Sequence, residues 1–216
     1  MAEPAAAGAR RVRMSAAERE QQLLDVAEVL FTERGYEGVS VDEIARVAGV
    51  TRPIVYQHHG SKEGIFLACV YRARAQFEQS LVAGVTEVVE AGRNLRAIAA
   101  AGGAPYFDLI VSNPQRWALL FTTSANLEGT LAEQLGQLRH STIVQVGQLV
   151  RPLVGVVGED DLMAFSYAAS GIAEQLGRWW LRNPQIPRER VLALYADLVV
   201  GAASLLQSPV IARSGN

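Results

Sequence analysis

A chain of 216 residues, half of it hydrophobic and only 19% charged, can form one large domain or a small domain followed by a larger one. Its net charge of −2 excludes binding to nucleic acid by bulk positive charge, and residues 1–70 do not change this, with eight basic side chains against ten acidic. The one cysteine, Cys69, excludes an internal disulfide and any cysteine-rich zinc site.

Residues 1–14 are expected to form a disordered basic arm, rich in Ala, Pro and Gly through Gly8 and then carrying Arg10, Arg11 and Arg13. That charge order is the reverse of a secretory leader. Ser15, with Glu18 three residues on, predicts a helix start with a capping box. Leu23, Ala27, Leu30 and Phe31 then recur at helical spacing, and Gly35 stands where a left-handed cap would end the helix. Ser40 and Glu43 repeat the box before a second, short helix that Gly49 stops. Thr51 is placed to cap a third helix, with Pro53 in its first turn, where a missing amide proton costs nothing. Gly60-Ser61 breaks the chain again, and a fourth helix follows with Phe66, Cys69, Val70, Ala73 and Phe77 on its apolar face.

Further along, Gly102-Gly103 with Pro105 predict a kink or break, and Asn113-Pro114 a new helix start. Pro152, Gly155 and Gly158 are expected to end a helix over about residues 130–151. Two long helices, about 160–182 and 188–207, flank Asn183-Pro184-Gln185-Ile186-Pro187. No stretch alternates with a strand's period of two, so the fold is expected to be all-α. The longest apolar run, Val191 to Leu206, is interrupted by Asp197 and falls short of a membrane span, so a cytoplasmic protein is expected.

The segment from Val39 to Phe66 carries the functional signal. Two short helices joined by a tight turn at Gly49-Val50 have the geometry of a helix-turn-helix, whose second helix enters the major groove. Ile44, Ala45, Ala48, Val50, Ile54 and Val55 are the residues that would hold the pair together. Arg52, Pro53, Tyr56 and Gln57 are left facing out. Arg52 suits the two acceptors on a guanine edge, and Pro53 a thymine methyl. Tyr56, His58 and Lys62 suit phosphates, helped by the partial positive charge of helix N-termini. His58 and His59 point about 100° apart on a helix, which disfavours a shared metal ion.

Residues 16–70, with LFTERGYEGVSV, then DEIARVAGV, then Tyr56-Gln57-His58-His59-Gly60-Ser61-Lys62 followed by Glu63 and Phe66, closely resemble the tetracycline-repressor (TetR) family. The resemblance implies base reading at Arg52 and Pro53 and backbone contacts at Thr51, Tyr56, His58 and Lys62, with Ser40 in the same DNA-binding set. His59 departs from the apolar residue usual there, and Gly60 from a longer one, which would loosen the packing of the fourth helix. The family's architecture also implies a three-helix DNA-binding domain over 15–62. Residues 63–216 would then be a larger helical domain for effector binding and dimerisation.

The C-terminal residues carry that expectation independently. Leu162, Phe165, Ala169, Ile172, Leu176 and Trp179 lie along one face of a helix, and Ala169, Ala173 and Gly177 form a small-residue stripe suited to close contact with a second subunit. The last helix is apolar nearly all round, as a helix buried on more than one side should be. Tyr106, Phe107, Trp117, Phe121, Tyr167 and Trp180 are candidate walls of a ligand pocket, with Asn126, Glu174 and Gln175 as candidate anchors. Arg116 and Arg178 are isolated, and no basic cluster marks a phosphate-bearing effector. The sequence therefore reads as a homodimeric, sequence-specific repressor released from operator DNA by a small hydrophobic effector, without cofactor or metal. Two rivals are an effector-independent architectural DNA binder and a helical-bundle enzyme. Bulk charge argues against the first, and the absence of any nucleophile–base pairing against the second.

Overall fold

The computed structural model describes residues 14–121, 129–154 and 157–206, and all regular structure in them is helical. The chain divides into two compact units, one ending at Phe66 and the other beginning at Leu67.

The first unit is built by α1 (Ala16–Arg34), α2 (Val41–Ala48), α3 (Arg52–His59) and the start of α4 (Lys62–Glu90). The Ser15–Glu18 capping box is complete, with Ser15 Oγ accepting from the Glu18 amide at 3.2 Å and Glu18 Oε2 from the Ser15 amide at 2.8 Å. Gly35 ends α1 at φ 71°, ψ 173°, outside the left-handed helical well expected of it. At the second N-terminus only half of the expected box forms. Ser40 Oγ accepts from the Glu43 amide, while the Glu43 carboxylate turns to Arg34 and Arg46. Two guanidiniums outcompete a single backbone amide for that carboxylate.

Gly49 makes the helix-turn-helix possible. It sits at φ 67°, ψ 33°, while the Val50 amide reaches Ala45 O at 2.9 Å and its own amide reaches Arg46 O at 3.3 Å. These two bonds satisfy carbonyls that would otherwise be orphaned at the end of α2. A residue with a Cβ would strain there by about 1–2 kcal/mol. Leu23, Ala27 and Phe31 of α1, Ile44 of α2 and Val55 of α3 are buried together with Ile65 and Phe66. The Phe31 and Phe66 rings meet edge to face at 5.0 Å between centroids.

The second unit continues α4 and adds α5 (Leu95–Ser112), α6 (Pro114–Phe121), α7 (Gly129–Val154), α8 (Glu159–Leu181) and α9 (Arg188–Leu206). Its main core gathers Phe107, Trp117, Phe165, Trp180, Val191 and Val199, and a smaller cluster joins Leu81, Val85 and Ile98. Helix α5 packs most extensively against α9 and also meets α6 and α8.

Three expectations are corrected here. Helix α5 runs unbroken through Gly102, Gly103 and Pro105. Gly103 serves close approach instead, since a Cβ there would collide with the Tyr195 ring on α9. Helix α7 likewise continues past Pro152 to Val154. The Ala169/Ala173/Gly177 stripe is buried within its own chain, and a Cβ on Gly177 would come within 2.8 Å of Ile110 Cδ1 and of Tyr106. Small residues at helical spacing announce a close neighbour without saying which helix it is.

Candidate nucleic-acid interface and ligand cavity

Helix α3 buries Val55 and half-buries Ile54, and this leaves Thr51, Arg52, Pro53, Tyr56 and Gln57 on the exposed face. Thr51 occupies the N-cap position without a side-chain capping bond, so its hydroxyl is not committed to the helix. Ser40 is exposed, and its hydroxyl accepts a bond from Glu43 while keeping its own proton to donate. Arg52 does not wave in solvent. Its Nη1 donates to Asp42 at 3.2 Å and its Nη2 to the Tyr56 hydroxyl at 2.9 Å. The guanidinium is thereby fixed between α2 and α3, with N–H groups left over for an external acceptor. Asp42 was missed in the sequence, although it lies in the first turn of α2, ten residues before the arginine it holds.

Lys62 starts α4 with its Nζ 4.2 Å from the centroid of the Tyr36 ring and 3.9 Å from Glu37. The Tyr36 hydroxyl in turn donates to Glu63 at 2.8 Å. A lysine seated on a ring gains a cation–π attraction while its ammonium keeps donors for a phosphate. His58 is half-buried. Arg10, Arg11 and Arg13 of the expected arm lie outside the described residues.

His59 is half-buried with Nε2 hidden and unpartnered among the described residues. Burial pushes its pKa below the ordinary 6.5, against an opposing pull from Glu20 and with a small further push from His58. The unfolded chain therefore binds the proton more readily than the folded one. Its contribution to stability is full above pH 6.5 and is lost as pH falls through the depressed folded value. The variant His59→Phe is expected to raise the melting temperature more at about pH 5.5 than at about pH 7.5. Equal shifts at both would show that the imidazole does not titrate against folding.

In the second unit an enclosed cavity of mostly apolar lining lies among α4, α5, α7, α8 and α9. Of the residues expected there, Tyr106, Phe121 and Glu174 line it. Phe107 and Trp117 are buried in the neighbouring core, where Phe107 packs between Trp180 and Tyr195. Trp180 is core as well, its Nε1 donating to Ile186 O at 2.8 Å. Tyr167 is 46% exposed and meets His140 through its hydroxyl, and Gln175 is also exposed. Asn126 lies outside the described residues. The sequence reading missed the polar residues that matter most. Arg74 is only 4% exposed, and its Nη1 donates to Thr142 Oγ1 at 3.0 Å and its Nη2 to Leu120 O at 3.2 Å. Arg139 pairs with the buried Glu174. Among the described residues no cluster of side chains could hold a metal ion, and no helix is long and apolar enough to cross a membrane.

A helix-turn-helix with an organised arginine on its outer face, ahead of a helical unit enclosing an apolar cavity, defines a DNA-binding transcriptional regulator. Residues 23–69 match the profile described as "Bacterial regulatory proteins, tetR family". The chain is 30% identical over 180 residues to the HTH-type transcriptional activator FasR of Mycolicibacterium smegmatis, covering 83% of this chain and 80% of that one. It belongs to the TetR family. The same fold recurs in a TetR-family regulator from Streptomyces coelicolor, at 24% identity and a TM-score of 0.68 over 89% of this chain and 83% of that one. It recurs too in AibR, whose structure is in complex with isovaleryl coenzyme A and operator DNA, at 18% identity and a TM-score of 0.61 over 84% and 97%.

Proposed function

We propose that this chain is a homodimeric operator-binding repressor whose affinity for DNA is lowered by a small, largely apolar effector held in the second unit. The observation that carries this reading is the coexistence in one chain of an outward set of side chains, Arg52, Pro53, Tyr56 and Gln57, with a largely apolar cavity, and base reading falls to Arg52 and Pro53. Ser40, Thr51, Tyr56, His58 and Lys62 supply the backbone contacts. Helix α4 begins with Lys62 and later lines the cavity from Arg74 to Val85, so one element carries residues of both functions. An effector that favours one arrangement of the dimer over another biases DNA binding by its differential affinity for the two. AibR, seen with a ligand and operator together, supports ligand responsiveness. The likeness to an activator, FasR, supports a second reading in which the same DNA binding recruits transcription instead of blocking it.

Footprinting on the DNA upstream of its own gene, followed by a promoter reporter, tests both. Repression predicts a footprint over the promoter and higher reporter output on deleting the gene, whereas lower output would establish the activator reading. No footprint on that or neighbouring promoters would sink operator binding.

Homodimerisation is assigned to the outer faces of α8 and α9. There Ala164, Ala168 and Leu198 stay exposed, Leu198 at 50%, and a Cβ on Gly201 would meet nothing within 4 Å. Gly201→Trp should therefore leave the subunit folded and weaken the dimer about 30-fold or more, since overpacking occurs twice across a two-fold axis. Sedimentation of the variant, with helicity by circular dichroism as the control, reads this directly. A dimer of undiminished stability would place the interface elsewhere.

A further inference from the structure

The cavity has two unlike ends. Along α4 its lining runs from Arg74 to Val85, and along α7 from Arg139 to Val150, each a stretch of ~16 Å at the helical rise per residue. Arg74 bonds Thr142 at one end, while Val85 clusters with Val146 and Leu149 at the other. About 100 Å³ of this length is open to the centre of a water molecule. A space lined along that length suits an extended chain.

The polar end holds two buried donors without acceptors. Arg74 Nε makes no hydrogen bond, and no carboxylate pairs with its guanidinium among the described residues. The Tyr106 hydroxyl is likewise unpartnered. The two side chains share Phe121 as a neighbour, the Arg74 guanidinium 5.6 Å from its ring centroid and the Tyr106 ring centroid 4.8 Å from it. The remaining charges are already spent. Glu174 is engaged by Arg139 and Arg178, and Glu78 accepts from Thr142. Burial pulls the Arg74 pKa down, with a further push from Arg139, against the opposing pull of Glu78 and Glu174.

We propose that this site takes an unbranched apolar molecule ending in a carboxylate, its head accepting from Arg74 Nε and the Tyr106 hydroxyl and its tail lying toward Val85 and Leu149. The assignment rests on reading the second unit as an effector domain, and it names the class of effector. A carboxylate supplies the acceptors that Arg74 Nε and the Tyr106 hydroxyl lack, and an alkyl tail replaces void by dispersion contacts along the apolar length.

Binding to the full-length dimer is measured by calorimetry with decanoate, 1-decanol and decylammonium, followed by operator binding with each compound. Decanoate should bind about 10- to 100-fold more tightly than 1-decanol, the range of a charge-assisted hydrogen bond. Decylammonium should bind most weakly. Arg74→Met should bring decanoate to the level of the alcohol. Because Arg74 is buried and that variant can fail to fold, Tyr106→Phe is measured beside it. This change removes only an unpaired hydroxyl, so the melting temperature should hold while decanoate affinity falls about 10-fold. Equal affinity for decanoate and decanol, preference for the amine, or an unaltered decanoate affinity in Tyr106→Phe would overturn the assignment. Tight decanoate binding with unchanged operator affinity keeps the assignment and sinks ligand-controlled release. Release by another class of compound, with no decanoate binding, does the reverse.

Discussion

Gly177→Trp is expected to unfold the second unit, not merely to separate one subunit from the other. The position faces α5 within the same chain, where even a methyl carbon would lie 2.8 Å from Ile110 Cδ1 and from the Cε1 and hydroxyl of Tyr106. Gly177→Ala gains up to about 1 kcal/mol of helix propensity and loses about 1–3 kcal/mol to overpacking, a modest net cost. An indole has no such accommodation, because Ala169 and Ala173 beside it are already buried. Denaturant unfolding of both variants checks this. A folded monomeric Gly177→Trp would return the stripe to the dimer interface. The alanine variant carries a second readout, since its Cβ pushes on the hydroxyl assigned to the ligand's head and should weaken decanoate more than decanol.

Arg52→Ala should lose about 1–3 kcal/mol per half-site on the true operator, so that the two half-sites of a dimer together lose a factor of about 30 to 10⁴. On scrambled duplex the loss should be far smaller. The clamp refines this expectation. Asp42 orients Arg52 and also places a negative charge on the DNA-facing side, where it repels any phosphate. Asp42→Asn should therefore raise affinity for scrambled DNA while lowering the ratio of operator to scrambled binding. Lys62→Ala should weaken both duplexes alike and shallow the salt dependence. Isotherms at several salt concentrations separate these outcomes. Equal losses on both duplexes for Arg52→Ala would pass base reading to Gln57 or Tyr56.

The first unit was legible because its signals are local. Ser15, Ser40 and Gly49 each act on amides or carbonyls within a few residues, and the outward set of α3 follows from burying Val55. The second unit was less so, because a glycine required for close approach looks the same in a sequence as one that ends a helix. Gly103 against Tyr195 and Gly177 against Tyr106 both depend on a partner far away in the chain. Half of the cavity's polar end was missed for a similar reason, since Arg74 and Thr142 join the expected Tyr106 and Glu174 from two other helices. One sign was available. Arg74 follows Val70 by one helical turn and sits between Ala73 and Phe77, on a face that should hold no arginine without a purpose.

Lys62 is the sole lysine of the chain, and it sits on Tyr36 at the edge of the DNA-binding unit. Apart from the terminal amine, the molecule thus has a single site for amine chemistry. Acylation there removes the charge and the cation–π contact together, whereas methylation keeps the charge. A tag coupled at this point would report from the rim of the recognition surface without any engineered cysteine.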